Sequence, residues 1–153
     1  MSIQRGWPTS PHGIKIPDTL IKANWKTHTV SYYTKEDIPN KPGLYLFTAS
    51  PFRIKKNDGI FSDFKTIMYV GRASENGSLR SRFKRHFRKP KFQKCARTYM
   101  KNFKYSYIVI EDVEEIKKLP SYEQLIINLF GPPLNDRNEV SYALKGFKSN
   151  LDD

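Results

Sequence analysis

Short apolar runs bounded by turn residues mark three strands in this chain, and two apolar stripes at helical spacing mark its main helices. Ile38-Pro39-Asn40-Lys41-Pro42-Gly43 is a turn cluster that launches a strand at Leu44-Tyr45-Leu46-Phe47. Residues 49–65 form a polar excursion whose Asn57-Asp58-Gly59 predicts a hairpin tip, and a second strand over 66–70 ends at Gly71. Ser78 reads as the N-cap of a helix carrying Leu79, Phe83 and Phe87 on one stripe, with Pro90 expected to stop it. A third strand is predicted over 103–110, and a short polar helix over 113–118. Ser121 and Gln124 fit a capping box for a last helix that closes at Gly131-Pro132-Pro133. The order β, β, α, β, α predicts a small α/β or α+β domain, a mixed three-stranded sheet flanked by helices. Residues 1–41 are expected to be an extension packed on the core through Trp7, Trp25, Tyr32 and Tyr33, and 136–153 a tail.

Charge changes the picture from fold to partner. The chain of 153 residues, long enough for one core, carries 27 Lys and Arg against 15 Asp and Glu. Between Asn76 and Ile110 lie eleven Lys or Arg and no acid. Such a concentration reads as a footprint for a polyanion rather than as a merely solvated face. It lacks the continuous apolar face of an interfacial helix, and no apolar run approaches the ~18 residues of a membrane span. With one cysteine, Cys95, there is no disulfide framework or cysteine-based zinc site, and His12, His28 and His86 have no metal-ligand spacing. A cytoplasmic protein with no membrane partner is expected.

Three sets of residues carry candidate chemistry. At about 100° per residue, Glu123 falls inside the apolar arc of Tyr122, Leu125, Ile126, Leu129 and Phe130. A carboxylate there needs a partner; either the helix N-terminus holds it half exposed, or it binds a hard divalent cation such as Mg²⁺. Arg82 and His86 lie one turn apart beside the stripe of the first helix, suited to clamping a phosphoryl group and relaying a proton. Arg80, Lys84 and Arg85 read as phosphate-steering charge. Tyr45, placed on one face with Phe47, and Tyr69, placed on one face with Ile67, could meet at one end of the sheet. A phenol is a poor base unless a cation lowers its pKa; by themselves the tyrosines are equally two packed sheet residues.

Together these residues resemble the GIY-YIG nuclease family, over roughly residues 42–135. Gly43-Leu44-Tyr45 and Tyr69-Val70-Gly71 match its name-giving tripeptides with one aliphatic substitution each. Leu79-Arg80-Ser81-Arg82-Phe83 followed by His86 is similar to the family's first helix, with Arg82 in the arginine's place. Arg72 stands where many members have Lys, Glu123 matches the metal-binding glutamate, and Asn135 the late asparagine. Two insertions depart from the pattern: one holds Arg53, Lys55 and Lys56, the other is Glu75-Asn76-Gly77. The first is similar to insertions of the restriction-endonuclease branch that embrace DNA.

The resemblance implies hydrolysis of double-stranded DNA with one Mg²⁺ or Mn²⁺ bound by Glu123. It implies Tyr45 as general base relieved of its proton by His86, Tyr69 as fallback base or phosphate-orienting group, and Arg82 as charge stabiliser. Arg72 is expected to lower the phenol's pKa and Asn135 to brace the site. DNA contacts are expected from Lys55, Lys56, Arg72, Arg80, Lys84, Arg85, Arg88, Lys89 and Lys91. One site cuts one strand, so a homodimer is expected for double-strand cleavage. The alternatives are a repair or mobile-element nuclease, and a nucleic-acid-binding module without catalysis.

Overall fold

Strand β2 (Gly43–Ala49) runs antiparallel between β3 (Thr66–Ala73) and β4 (Phe103–Val109), and β1 (Lys26–Thr29) pairs with the far side of β4. The four-stranded sheet thus has the order β1-β4-β2-β3. The structure, a computed structural model, describes residues 17–50, 66–74 and 77–135. Trp7, His12, Arg53, Lys55, Lys56, the Asn57-Asp58-Gly59 tip, Glu75, Asn76 and the tail 136–153 lie outside the described residues.

The fold is α+β, with helices on both sheet faces. Leu44, Leu46 and Ile108 point to one face and pack with the short α1 (Asp18–Ile21) and the long α4 (Val113–Phe130). Tyr45, Phe47 and Tyr105 point to the other and pack with α2 (Leu79–Phe87) and α3 (Pro90–Tyr99). Burial on both faces explains why β2 reads as a continuous apolar run rather than an alternation.

Several expectations are corrected. Among the described residues the sheet is antiparallel throughout and has four strands, not three in mixed orientation. Lys26-Thr27-His28-Thr29 is a mostly exposed edge strand, so no apolar alternation betrays it. Within residues 17–41, β1 joins the sheet and Leu20, Ile21, Val30 and Ile38 are buried. Pro90 does not simply end helical structure: α2 closes at Phe87, and Pro90 opens α3 at the first helical position, where its missing N–H costs nothing. The segment 113–130 is one helix, capped by Asp112, whose side chain accepts from the Glu115 N–H at 3.2 Å. Ser121 and Gln124 lie inside it and form no cap. Pro120 is tolerated on the exposed side while Leu119, Tyr122, Ile126 and Ile127 hold the helix to the sheet. Gly131, at φ +52°, ends it in the left-handed conformation glycine favours.

A bulge corrects the facing of Tyr69. Phe47 pairs with Tyr69 but Thr48 pairs with Ile67, so β3 holds one extra residue, Met68. Tyr69 consequently packs with Tyr45, whereas Ile67 joins Leu46 on the opposite face.

Candidate active site

The glycines of the two tripeptides give clearance to different neighbours. A Cβ on Gly71 would lie 2.3 Å from both Cζ and Oη of Tyr45, so the ring lies directly across the β3 backbone. A Cβ on Gly43 would meet the Ile108 carbonyl oxygen of the neighbouring strand. Both positions need glycine for clearance, a constraint that only strand pairing reveals.

Helix α2 is anchored where β2 begins. Ser78 and Ser81 form the reciprocal capping box, with Ser78 Oγ accepting from the Ser81 N–H at 3.1 Å and the Ser78 N–H donating to Ser81 Oγ at 2.8 Å. The next two helical N–H groups, of Leu79 and Arg80, donate to the carbonyls of Lys41 and Pro39. The turn before β2 thus caps α2 and fixes the helix over the sheet. Leu79, Phe83 and His86 face inward, and Arg82 lies at the rim.

His86 is 4% exposed, and its Nε2 lies 2.7 Å from the Tyr45 hydroxyl. Tyr69 stacks at 6.1 Å from Tyr45 and its ring centroid is 4.5 Å from that of His86. Phe92 of α3 and Tyr105 of β4, neither of them a candidate from the sequence, close the box around this group. Strand alternation places Tyr105 on the Tyr45 face, but Phe92 sits on a helix that Pro90 conceals.

Tyr45, Tyr69, Arg82 and His86 line one side of a cleft of about 350 Å³ whose other walls are Arg72, Arg85, Lys89, Lys91 and Glu123. Five cations face a single carboxylate. The Glu123 side chain, contributed by α4 from the other face of the sheet, is 19% exposed and its Oε2 lies 3.9 Å from Arg72 Nε. Among the described residues, Arg82 Nε is buried without a hydrogen-bond partner, and so is Nδ1 of His86. A buried donor left open is costly, and an anion entering the cleft would satisfy it.

Electrostatics assign the tyrosine and the imidazole distinct states. Burial, reinforced by Tyr69 and Tyr105, pushes the Tyr45 phenol well above its ordinary value, while Arg82 pulls it down. The cation acting on this phenol is therefore Arg82, and Arg72, expected in that role, instead faces Glu123. Burial, then Lys89, Arg85, Arg82 and Lys91, lowers His86 to about 3, so the ring is neutral. Tyr45 cannot hold a negative charge alone, but hydrogen-bonded to a neutral imidazole it can pass a proton along as it receives one.

The other expected residues separate. Asn135 lies outside the cleft and braces it: its Oδ1 accepts from the Val70 N–H and its Nδ2 donates to the Val70 carbonyl, each at 3.0 Å. Leu134 N–H donates to the Met68 carbonyl at 2.8 Å, so residues 134 and 135 close the outer edge of β3. Arg80, expected to contact phosphate, donates from Nε to the Ile38 carbonyl at 2.6 Å, tying α2 to the turn. Lys91 lines the cleft and also donates to the Leu134 carbonyl at 2.6 Å. Lys84 and Arg88 lie on the opposite flank of α2. Trp25 packs against the core and donates from its indole to the Leu20 carbonyl at 2.6 Å, whereas Tyr32 and Tyr33, expected as anchors, are 63% and 71% exposed.

Among the described residues no group of three or more His, Cys, Asp or Glu could hold a metal ion. One carboxylate in a cleft open to solvent and phosphate still fits a hard cation that keeps most of its waters. No helix of the described residues is long and apolar enough to cross a membrane. No protein-family model, curated protein or solved structure matches the chain.

Proposed function

We propose that this protein is a metal-dependent endonuclease that hydrolyses DNA phosphodiester bonds in the manner of small type II restriction enzymes. The observation that carries this is the buried, unpartnered Arg82 Nε in a cleft with a hydrogen-bonded Tyr45–His86 pair and one carboxylate. That set of groups suits a phosphate diester: cations for its charge, a carboxylate for a metal, and a relay for the proton of an attacking water.

Arg85, Lys89 and Lys91 draw the backbone into the cleft by charge. Arg82 donates to the phosphoryl oxygens and stabilises the charge that develops there. The Tyr45 oxygen accepts the proton of the attacking water while its own hydrogen passes to His86 Nε2, so neither a free phenolate nor a free imidazolium is needed beforehand. Burial is the main cause that depresses His86, and phosphate in the cleft offsets the smaller part due to Lys89, Arg85, Arg82 and Lys91, which strengthens the ring as the acceptor. Tyr69 orients the phosphate and is the fallback base. Glu123 would hold a divalent cation, which when bound supplies Lewis-acid stabilisation of the departing oxygen.

Incubation of supercoiled plasmid with Mg²⁺, with and without EDTA, is the direct test. Cleavage should need the metal, and Glu123→Gln should abolish it while DNA binding persists. Discrete bands would support sequence-specific cutting. Wild-type cutting by Glu123→Gln would overturn the metal assignment, and salt-sensitive binding without any nicking would leave a binding module.

A further inference from the structure

Helix α2 carries a second concave site on the flank away from the cleft. A groove of about 200 Å³ is lined by Phe83 and Phe87 at its base and by Tyr32, Lys35, Lys84 and Arg88 around it. Phe83 and Phe87 stack at 5.8 Å with planes 14° apart. Tyr32 lies beside them, held edge-on to Tyr33 and covered on one side by the Lys35 ammonium 4.4 Å from its ring centroid. Two adjacent tyrosines this exposed are costly to leave in water, and neither contributes to the core.

We propose that this groove receives an unpaired nucleobase of the bound DNA, stacked on Tyr32 while Lys35, Lys84 and Arg88 hold its flanking phosphates. Aromatic surface interleaved with cations is the chemistry that binds single-stranded nucleic acid, because every base offers a π-face and every linkage a negative charge. The groove and the cleft lie on opposite flanks of α2, so one strand crossing the helix would reach both. A duplex end, gap or flipped base near the scissile bond would supply the nucleotide. The inference rests on the reading of the protein as one that acts on DNA, and extends it from the cut phosphate to the neighbouring bases.

The test uses the full chain in EDTA, with duplexes carrying 2-aminopurine either in a three-nucleotide overhang or within paired sequence. The overhang probe should bind more tightly and its fluorescence should fall on binding. Tyr32→Ala, an exposed change that leaves the core intact, should weaken overhang binding about fivefold or more and spare the paired probe, the minimum expected of a lost base–aromatic stack. Tyr32→Phe should retain binding. Equal affinity for both probes, or equal weakening of both by Tyr32→Ala, overturns the proposal. So does competition at this site by polyglutamate as strong as by oligothymidylate, which would indicate an acidic peptide. If any of these overturning results accompanies normal metal-dependent plasmid cleavage, the groove assignment alone fails; if no DNA is bound or cut, the nuclease reading fails with it.

Discussion

The Tyr45 hydroxyl and His86 Nε2 meet at 2.7 Å across the boundary between sheet and helix, and both side chains are buried. Tyr45→Phe keeps the ring and removes the proton path. Plasmid cleavage should fall by about 10²- to 10⁴-fold, the range of a general acid–base group, with DNA affinity in EDTA unchanged. Losing the partner of His86 should also cost about 1–3 kcal/mol of stability in urea unfolding.

Arg82 should show the opposite stability effect. Its buried Nε lacks a partner, so Arg82→Met removes an unsatisfied donor while keeping the aliphatic stem. The variant should melt a few degrees higher, as about 1 kcal/mol produces in a domain of this size, yet cleave at least ~10²-fold more slowly. A lower melting temperature would show that the guanidinium is stabilised in the free protein after all.

Gly71 and Tyr45 should be energetically coupled. Gly71→Ala drives a methyl group into the Tyr45 ring, and overpacking of this kind costs about 1–3 kcal/mol. Combining it with Tyr45→Ala should recover part of the loss, measurable as non-additivity in a double-mutant cycle. Strict additivity would mean that the ring does not lie over β3.

Stability should fall with pH before the carboxylates titrate. The unfolded chain takes up a proton on His86 near pH 6.5, whereas the folded protein holds this ring neutral down to about 3. Below about 6.5 the unfolded state therefore binds the extra proton. Stability is fully present above that pH and is lost toward 3, by up to about 1.4 kcal/mol per unit. His86→Phe should flatten this slope between about pH 6.5 and 5. Parallel urea-midpoint curves for the two proteins would count against a buried neutral imidazole.

Asn135→Ala should leave the N–H and carbonyl of Val70 without their side-chain partner at the outer edge of β3. At about 1–3 kcal/mol for each buried group left open, a loss of at least 2 kcal/mol is expected in urea unfolding. A loss far smaller would mean that water replaces the amide.

How much was legible in the sequence depended on whether burial left a periodic trace. The runs around Tyr45 and Tyr105 betrayed their strands because both lie inside the sheet, and Ser78 betrayed α2 because an N-cap is a local device. The strand at His28 was invisible because an exposed edge has no apolar face, and α3 was hidden because Pro90 starts a helix as readily as it stops one. The Tyr69 side was misjudged by a single extra residue, Met68, which reverses the alternation. In the cleft, Tyr45, Tyr69, Arg82, His86 and Glu123 line one space, a convergence that no single spacing in the sequence encodes. The hold of Arg80 on Ile38 depended on a long-range backbone contact that no local pattern encodes.

Closure of the β3 edge by Leu134 and Asn135 also limits how two copies could join. Among the described residues, the other edge strand is β1, at the opposite end of the sheet. Two sheets fused there would hold their β3 strands seven spacings apart, about 34 Å at roughly 4.8 Å each, which is one full turn of DNA. Under the proposed nuclease function, such a pair would nick opposite strands about ten base pairs apart and release long single-stranded ends. Closely spaced double-strand cuts would instead require a dimer built through the helices, with the sheets left discontinuous.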